Sequence, residues 1–551
     1  MTTGRTHLER QPLRAPEEDG AALINPPFEQ VAGMVRANLG RRREYCYDLQ
    51  GRSLSEVARE SRRQLAADAR RWTSQYRDVD SHPIDSSVPI FLAGHQPQLF
   101  HPGVWFKNFA LGTLAREHGA VAISLLIDSD VSRTPNVRVP GGSVREPHVA
   151  EIPLDKAAPL VPYEERPVLD REVFTGFGSR AAEQIAGLVA DPLVRRFWPM
   201  AVERMRQTGN LGASLAQARH QLEGRWGLST LEIPQSWVCQ SRPHAWFVAH
   251  LLAQLPRLRT IYNEVVDEYR RVNRIRSRAH PVPNLAQAGG WLEAPFWIWA
   301  ADDPRRRRLF ARHDRHQIVL SDRHALEIAL PLAPDGDANR AVERLMELGR
   351  EGVRIRSRAL VTTLWARLVL GDLFLHGIGG AKYDQLTDAL VERFFGLKPP
   401  DFLVLSATLH LPVPRARTTV EDLRAIEHRL RRLTYHPECF INGTCHAAEG
   451  TSSEVAELIA AKARWIQAAP APEESPARYR EIRRINEALE PCVAPLRERL
   501  LGERRETERS LQAEAVLSGR EYAFCLFPEK TLRKFLLSLL PKCVRIGFDN
   551  L

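Results

Sequence analysis

Cysteine is scarce in this chain and irregularly placed, with seven in 551 residues. That pattern excludes a disulfide framework and suits a reducing compartment. Long hydrophobic runs are missing as well. No stretch reaches the ~20 apolar residues of a membrane span, and no signal peptide opens the chain, so the expected location is cytoplasmic with no membrane partner. The patterns G-x-x-x-x-G-K-[ST], H-E-x-x-H and G-x-S-x-G are absent, which removes several enzyme classes. A strong excess of one charge is lacking too. Lys and Arg number 77 against 67 Asp and Glu, a net charge of +10 spread along the chain. This reads against nucleic acid and favours an anionic small-molecule substrate.

What is present is organised around Pro89–Pro140. Ile90-Phe91-Leu92-Ala93 has the composition of a buried parallel strand. A turn from Gly94 to Gly103 follows, then a helical pattern from about Val104 to His118. A second apolar run, Val121 to Ile127, ends in Asp128-Ser129-Asp130. This is a βαβ unit of an open α/β sheet. Ligands of such sheets bind beyond the carboxyl ends of the strands. The two polar clusters, Gly94–His101 and Asp128–Asn136, are therefore expected in one crevice.

The remaining chain divides by texture. Residues 1–27 read as a disordered leader and 28–88 as a helical segment whose arginine-rich face is solvated. Residues 89–280 carry the first part of the α/β core, including a long helix from about His244 or Ala245 to Ser277, broken or bent near Pro256. Residues 281–350 read as a β-hairpin insertion and a following helix, with Arg305–Arg308 on an exposed turn. Residues 351–415 return to the core, with His376 to Gly380 as a flexible polar loop. Residues 416–551 are mostly helical. Their apolar stripe Ile482, Ile485, Leu489, Val493, Leu496 and Leu500 suggests a coiled-coil arm that dimerises.

His95 and His101 flank Gln96-Pro97 in the turn after the first strand, where imidazole can donate to a phosphate or move a proton. Asp128 and Asp130 share a strand end. They suit a divalent metal, an amine, a sugar hydroxyl or general-base work, with helix capping as the structural alternative. Gly379-Gly380 before a helix could seat an anion on backbone N–H groups. His436, Cys439, Cys445 and His446 lie close together, but Cys-x5-Cys-His is not a standard zinc spacing, and a plain loop is expected there. The candidate catalytic residues are thus His95, His101, Asp128 and Asp130. The candidate binding residues are Gly94, Gln96, Gly103, Asn136, Arg358, Gly379, Gly380, Lys382, Tyr383 and Ser406.

Gly94-His95-Gln96 with Leu99-Phe100 and Gly103 resembles the Gly-Gln-Gln loop of the bacillithiol-biosynthesis cysteine-adding enzymes. Asp128-Ser129-Asp130 stands where that family has an acidic segment. Arg225-Trp226-Gly227-Leu228 is similar to its Tyr-Gly-Leu step, and Ala294-Pro295-Phe296 to its insertion. Gly379-Gly380-Ala381-Lys382-Tyr383, Phe395-Gly396-Leu397-Lys398-Pro399-Pro400 and Leu405-Ser406-Ala407-Thr408-Leu409 follow the family's Gly-rich loop, Phe-Gly-Leu-Lys-x-Pro segment and Ser-x-Thr strand in order. The resemblance spans roughly Pro89 to Leu411.

The resemblance implies a Rossmann-like core related to class I aminoacyl-tRNA synthetases, an insertion, and a helical arm that forms a homodimer. The implied reaction joins cysteine to the amine of a glucosaminyl malate. His95, Gln96 and His101 would hold a carboxyl or phosphate, Asp128 or Asp130 the amine, and Gly379, Gly380 and Lys382 the opposite wall. The chain departs from the family at His95, where the family has glutamine, and at Ala381-Lys382, where it has Gly-Glu. Its acidic segment lacks the family's histidine, and Lys107 stands about two positions before the family's loop lysine. Use of ATP or another nucleotide stays open. So does a reading from a different class, a non-catalytic nucleotide- or metabolite-binding scaffold whose arm recruits a partner.

Overall fold

The computed structural model describes residues 8, 10, 13–79, 85, 87–132, 135–333, 336–415, 418–441, 451–468 and 475–541. The chain divides into two compact units: Met1–Val139 with Ala150–Pro412 and Arg520–Leu551, and Pro140–Val149 with Val413–Gly519. Along the chain come strands β1 (Ala22–Asn25), β2 (Ile90–His95) and β3 (Val121–Leu126), then a two-stranded ribbon of β4 (Asn136–Gly142) and β5 (Pro147–Pro153). After β6 (Leu231–Pro234) a second sheet is built from β7 (Gln287–Ala288), β8 (Trp291–Ala300), β9 (Asp303–His313), β10 (Ile318–Ser321), β11 (Glu327–Leu330) and β12 (Val353–Ser357). Strands β13 (Leu373–His376) and β14 (Phe402–Ala407) return to the first sheet.

The first unit is mixed α/β. Its main sheet has the order β1-β14-β13-β2-β3-β6, parallel except for β1. The chain winds one way from β2 through β3 to β6, then crosses back to place β13 on the other side of β2. Strand order therefore reverses between β2 and β13, where such sheets open a crevice. The apolar run Ile90 to Ala93 is buried throughout because both faces are covered. Ile90 and Leu92 pack with Leu54, Leu65 and Trp246. Phe91 points the other way, its ring 5.9 Å from that of His118, the residue that ends helix Pro102–Glu117.

That helix lies so close to β14 that a Cβ on Gly103 would fall 1.8 Å from the Ala407 carbonyl oxygen. Only glycine permits the approach. At the amino edge, buried Asp372 accepts from the Ile90 N–H at 2.8 Å and pairs with Arg42 at 2.5 Å and Arg62 at 2.7 Å. Arg41 bonds Asp401 at 2.8 Å. The arginine face expected to be merely solvated is thus partly a set of clamps on the sheet.

Three further expectations are corrected. The leader is not wholly without structure: Ala22–Asn25 forms edge strand β1, pairing Ala22 with Ala407 and Asn25 with Val404. Backbone groups on the open edge of β14 supply that pairing and need no apolar pattern from the partner. Arg305–Arg308 do not form a turn but lie inside β9, where alternate side chains part to opposite faces. Gly379 and Gly380 sit in the first turn of helix Ile378–Leu390, not in a loop. The interruption expected near Pro256 is present as a break between helices Arg242–Ala253 and Leu255–Val272.

The second unit is helical: Val420–Tyr435 and Thr451–Gln467 both pack on the 43-residue helix Ser475–Leu517. Ile485, Leu489, Val493 and Leu500 of the expected stripe are buried there with Leu433 and Ile441. The stripe is covered within the chain and does not by itself demand a second copy.

Candidate functional site

Parallel pairing of β13 with β2 and of β2 with β3 brings the loops after His95, Leu126 and His376 to one edge of the sheet. At that edge Gln96 Nε2 donates to Asp130 Oδ2 at 3.1 Å, and Arg306 Nη1 donates to Asp130 Oδ1 at 3.2 Å and to the Ser129 carbonyl at 2.8 Å. From the other side of the reversal, Tyr383 lies within electrostatic reach of the same carboxylate. Burial first, then Asp384 and Asp130, push its hydroxyl up to about 12. Gln96, Asp130 and Tyr383 therefore belong to one neighbourhood.

His95 Nδ1 lies 3.0 Å from the Gln96 carbonyl oxygen. A carbonyl only accepts, so Nδ1 carries the proton and Nε2 keeps its lone pair. Burial, then the Lys107 ammonium, push His95 down to about 3. The ring is neutral at neutral pH and resists protonation there, so Nε2 serves as a hydrogen-bond acceptor.

Lys107 reaches back from the helix to the carboxyl end of β2, its Nζ 2.5 Å from the Gly94 carbonyl oxygen. The side chain is buried, and among the described residues no carboxylate pairs with it. Burial and nearby Arg219 lower it to about 8. Arg219 is itself neutralised by Glu223 and Glu232. An ammonium sunk without a counter-ion is costly, and a bound anion would relieve that cost. In the sequence Lys107 stands about two positions before the lysine of the resembled family, and its one legible signal is a lysine among the apolar Trp105, Phe106, Phe109 and Ala110. His376, at the end of β13, also feels Lys107. It points Nε2 to Asp384 at 2.8 Å, while Asp384 bonds Arg367 at 2.6 Å.

Asp128 lies deeper than Asp130. Ser236 donates its N–H at 2.9 Å and its hydroxyl at 2.5 Å to the carboxyl. Burial and the Glu164 carboxylate still push Asp128 up to about 8, so it is mostly protonated at neutral pH. Glu164 in turn holds Arg356 at 2.8 and 2.9 Å. The partners Ser236, Glu164 and Arg356 come from remote segments and left no local pattern to read.

Other candidates fall elsewhere. His101 caps helix Pro102–Glu117, accepting the Gly103 N–H at Nδ1 at 3.2 Å, with Nε2 turned to Glu521 at 3.6 Å. Gly94 contributes its carbonyl to Lys107, and Gly103 is filled over by β14. Asn136 is on the ribbon, bonded to Glu151 at 3.1 Å. Arg358 bonds buried Glu293 at 2.7 Å and lies 4.3 Å from the Trp297 ring, as does Arg306. Gly380 passes over His376, where a Cβ would meet Nδ1 at 2.6 Å, and Gly379 and Lys382 are open to solvent. Ser406 is buried and accepts from Arg520 at 3.2 Å. Of the suspected zinc set, Cys445 and His446 lie outside the described residues, and His436 contacts Glu438 at 3.2 Å. Among the described residues no group of three or more His, Cys, Asp and Glu could hold a metal ion, and no helix is long and apolar enough to cross a membrane. No family model matches the chain, and no curated protein matches it.

Proposed function

We propose that the first unit is a Rossmann-like enzyme that forms an amide between an acyl donor and an amine, in the manner of the cysteine-adding enzymes it resembles. The observation that carries this reading is Lys107, a buried ammonium with no carboxylate partner among the described residues, within electrostatic reach of the neutral His95 ring. Lys107 seats an anionic group of the substrate. Asp130, held by Gln96 and Arg306, orients the incoming amine. The amine nitrogen bonds the carbon of an activated acyl group, the bond to the leaving group breaks with its electron pair, and the amine proton, oriented by a hydrogen bond to neutral His95 Nε2, departs on the leaving group. Strand order supports the fold name: numbered by chain position, the five parallel strands run 3-2-1-4-5 across the sheet.

Dimerisation through the helical unit rests on exposed Tyr435, Ile466 and Tyr479, since the main stripe is internally buried. Sedimentation of the full-length chain at micromolar concentration tests it, and a monomer there contradicts it.

Differential scanning fluorimetry against cysteine, amino-sugar conjugates and nucleotides tests the functional reading, followed by product analysis with any ligand that stabilises. Turnover abolished by His95→Ala supports the ligase. Binding without turnover in any pairing of donor and amine would assign a scaffold.

A further inference from the structure

A cavity of about 330 Å³ opens among helix Arg242–Ala253, helix Asn339–Arg350 and strand β12, lined by none of the crevice residues discussed above except Arg356. Its walls are aliphatic, with Val248, Leu345, Met346 and Ile355. Cys239, His244 and Arg356 supply its polar side. Cys239 Sγ lies 3.7 Å from His244 Nε2 and 3.8 Å from Ser357 Oγ, and the latter two are 3.2 Å apart.

The charges of this lining are nearly all cancelled. Burial pushes the His244 imidazole down to about 3 and the Cys239 thiol up, so neither is charged at neutral pH. Arg356 is neutralised by its two bonds to Glu164. Arg350 differs: it is exposed, and among the described residues no carboxylate or hydrogen-bond acceptor is bound to it. The cavity thus offers apolar walls, an uncharged polar side and one uncompensated cation.

From this arrangement we infer that the cavity is a second ligand site, for a small molecule with an apolar body and one anionic head, and that an aliphatic monocarboxylate is the chemistry it fits. The body packs on Val248, Leu345, Met346 and Ile355, and the carboxylate pairs with Arg350. A ligand of roughly ten non-hydrogen atoms suits a space at the small end of ligand pockets. An anionic head turned inward would meet only neutral or already paired groups, so the charge belongs at Arg350. The site shares only Arg356 with the residues of the crevice, and its test does not depend on the proposed reaction.

Octanoate is the probe and octanol its uncharged control. The full-length protein is alkylated with iodoacetamide at alkaline pH, and Cys239 is followed by peptide mass spectrometry against exposed Cys46 and Cys439. Millimolar octanoate slows alkylation of Cys239 several-fold and leaves Cys46 unchanged, while octanol needs about tenfold higher concentration. Arg350→Ala brings octanoate to the level of octanol, and Met346→Trp, which fills the space, removes protection by both. Equal alkylation with and without octanoate, equal protection of Cys46, or undiminished protection in Arg350→Ala overturns the assignment. Should Cys239 resist alkylation without ligand, calorimetry decides: saturable one-site binding of octanoate that is lost in Met346→Trp supports the site, and absent or unaltered binding overturns it.

Discussion

Gln96 Nε2 donates to Asp130 Oδ2 across 3.1 Å, tying the loop that leaves β2 to the loop that leaves β3. Because Arg306 bonds the other oxygen of the same carboxylate at 3.2 Å, Asp130 is fixed from two directions. A double-mutant cycle of Gln96→Ala and Asp130→Ala, read by urea denaturation, should give a coupling of about 0.5–1.5 kcal/mol. Strict additivity would mean that the loops are not tied in solution.

Asp372 holds three donors at the opposite edge of the sheet. Replacing it by alanine leaves Arg42 and Arg62 facing one another without their shared counter-charge. Asp372→Ala should cost about 3–5 kcal/mol of stability. Chemical denaturation measures it, and a loss below about 1 kcal/mol would show that the arginines find water instead.

Gly103→Ala should destabilise by at least about 1–3 kcal/mol, since the new methyl meets backbone rather than a side chain that can swing away. Gly379→Ala, where nothing lies within 4 Å, serves as the control and should be nearly silent. Thermal melts of the two variants make the comparison.

How far the sequence reached follows from the range of each signal. The βαβ unit was legible because its strands are buried on both faces and read as unbroken apolar runs. Gln96 and Asp130 were legible because strand ends in such a sheet share an edge. β1 was not, since Ala22–Asn25 is held by backbone pairing to residues almost four hundred positions away. Arg305–Arg308 misled as a charge run, although alternation along a strand separates Arg306, over Trp297, from Arg307, which bonds Asp322 at 3.1 Å. His101 looked catalytic and caps a helix, a role that depends on where the helix starts. The burial and the Glu164 charge that raise Asp128, and the Ser236 bonds that oppose them, come from segments far apart in sequence.

Asp128 gives a pH signature whose sign is fixed. Its carboxyl titrates near 4 in the unfolded chain and at about 8 in the folded one. Between those values the folded state holds more protons than the unfolded state, so Asp128 makes stability fall as pH rises from about 4 to 8 and adds no further change above that. Asp128→Asn should flatten this decline, most visibly between pH 5 and 7. Urea midpoints for both proteins across that range check it. An unchanged slope would place the titration of Asp128 in the ordinary carboxylate range.

In the proposed function the buried Lys107 ammonium receives an anionic group. Binding of malate and of inorganic phosphate should be measured by calorimetry from pH 7 to 9.5, for the natural protein and for Lys107→Met. Because burial lowers Lys107 to about 8, an anion that needs its charge should bind with proton uptake, and affinity should fall as pH rises above 8. Lys107→Met should lose that binding at least tenfold while melting no lower than the natural protein, since a buried unpaired charge has been removed. Anion binding of the same strength and pH dependence in Lys107→Met would contradict the account.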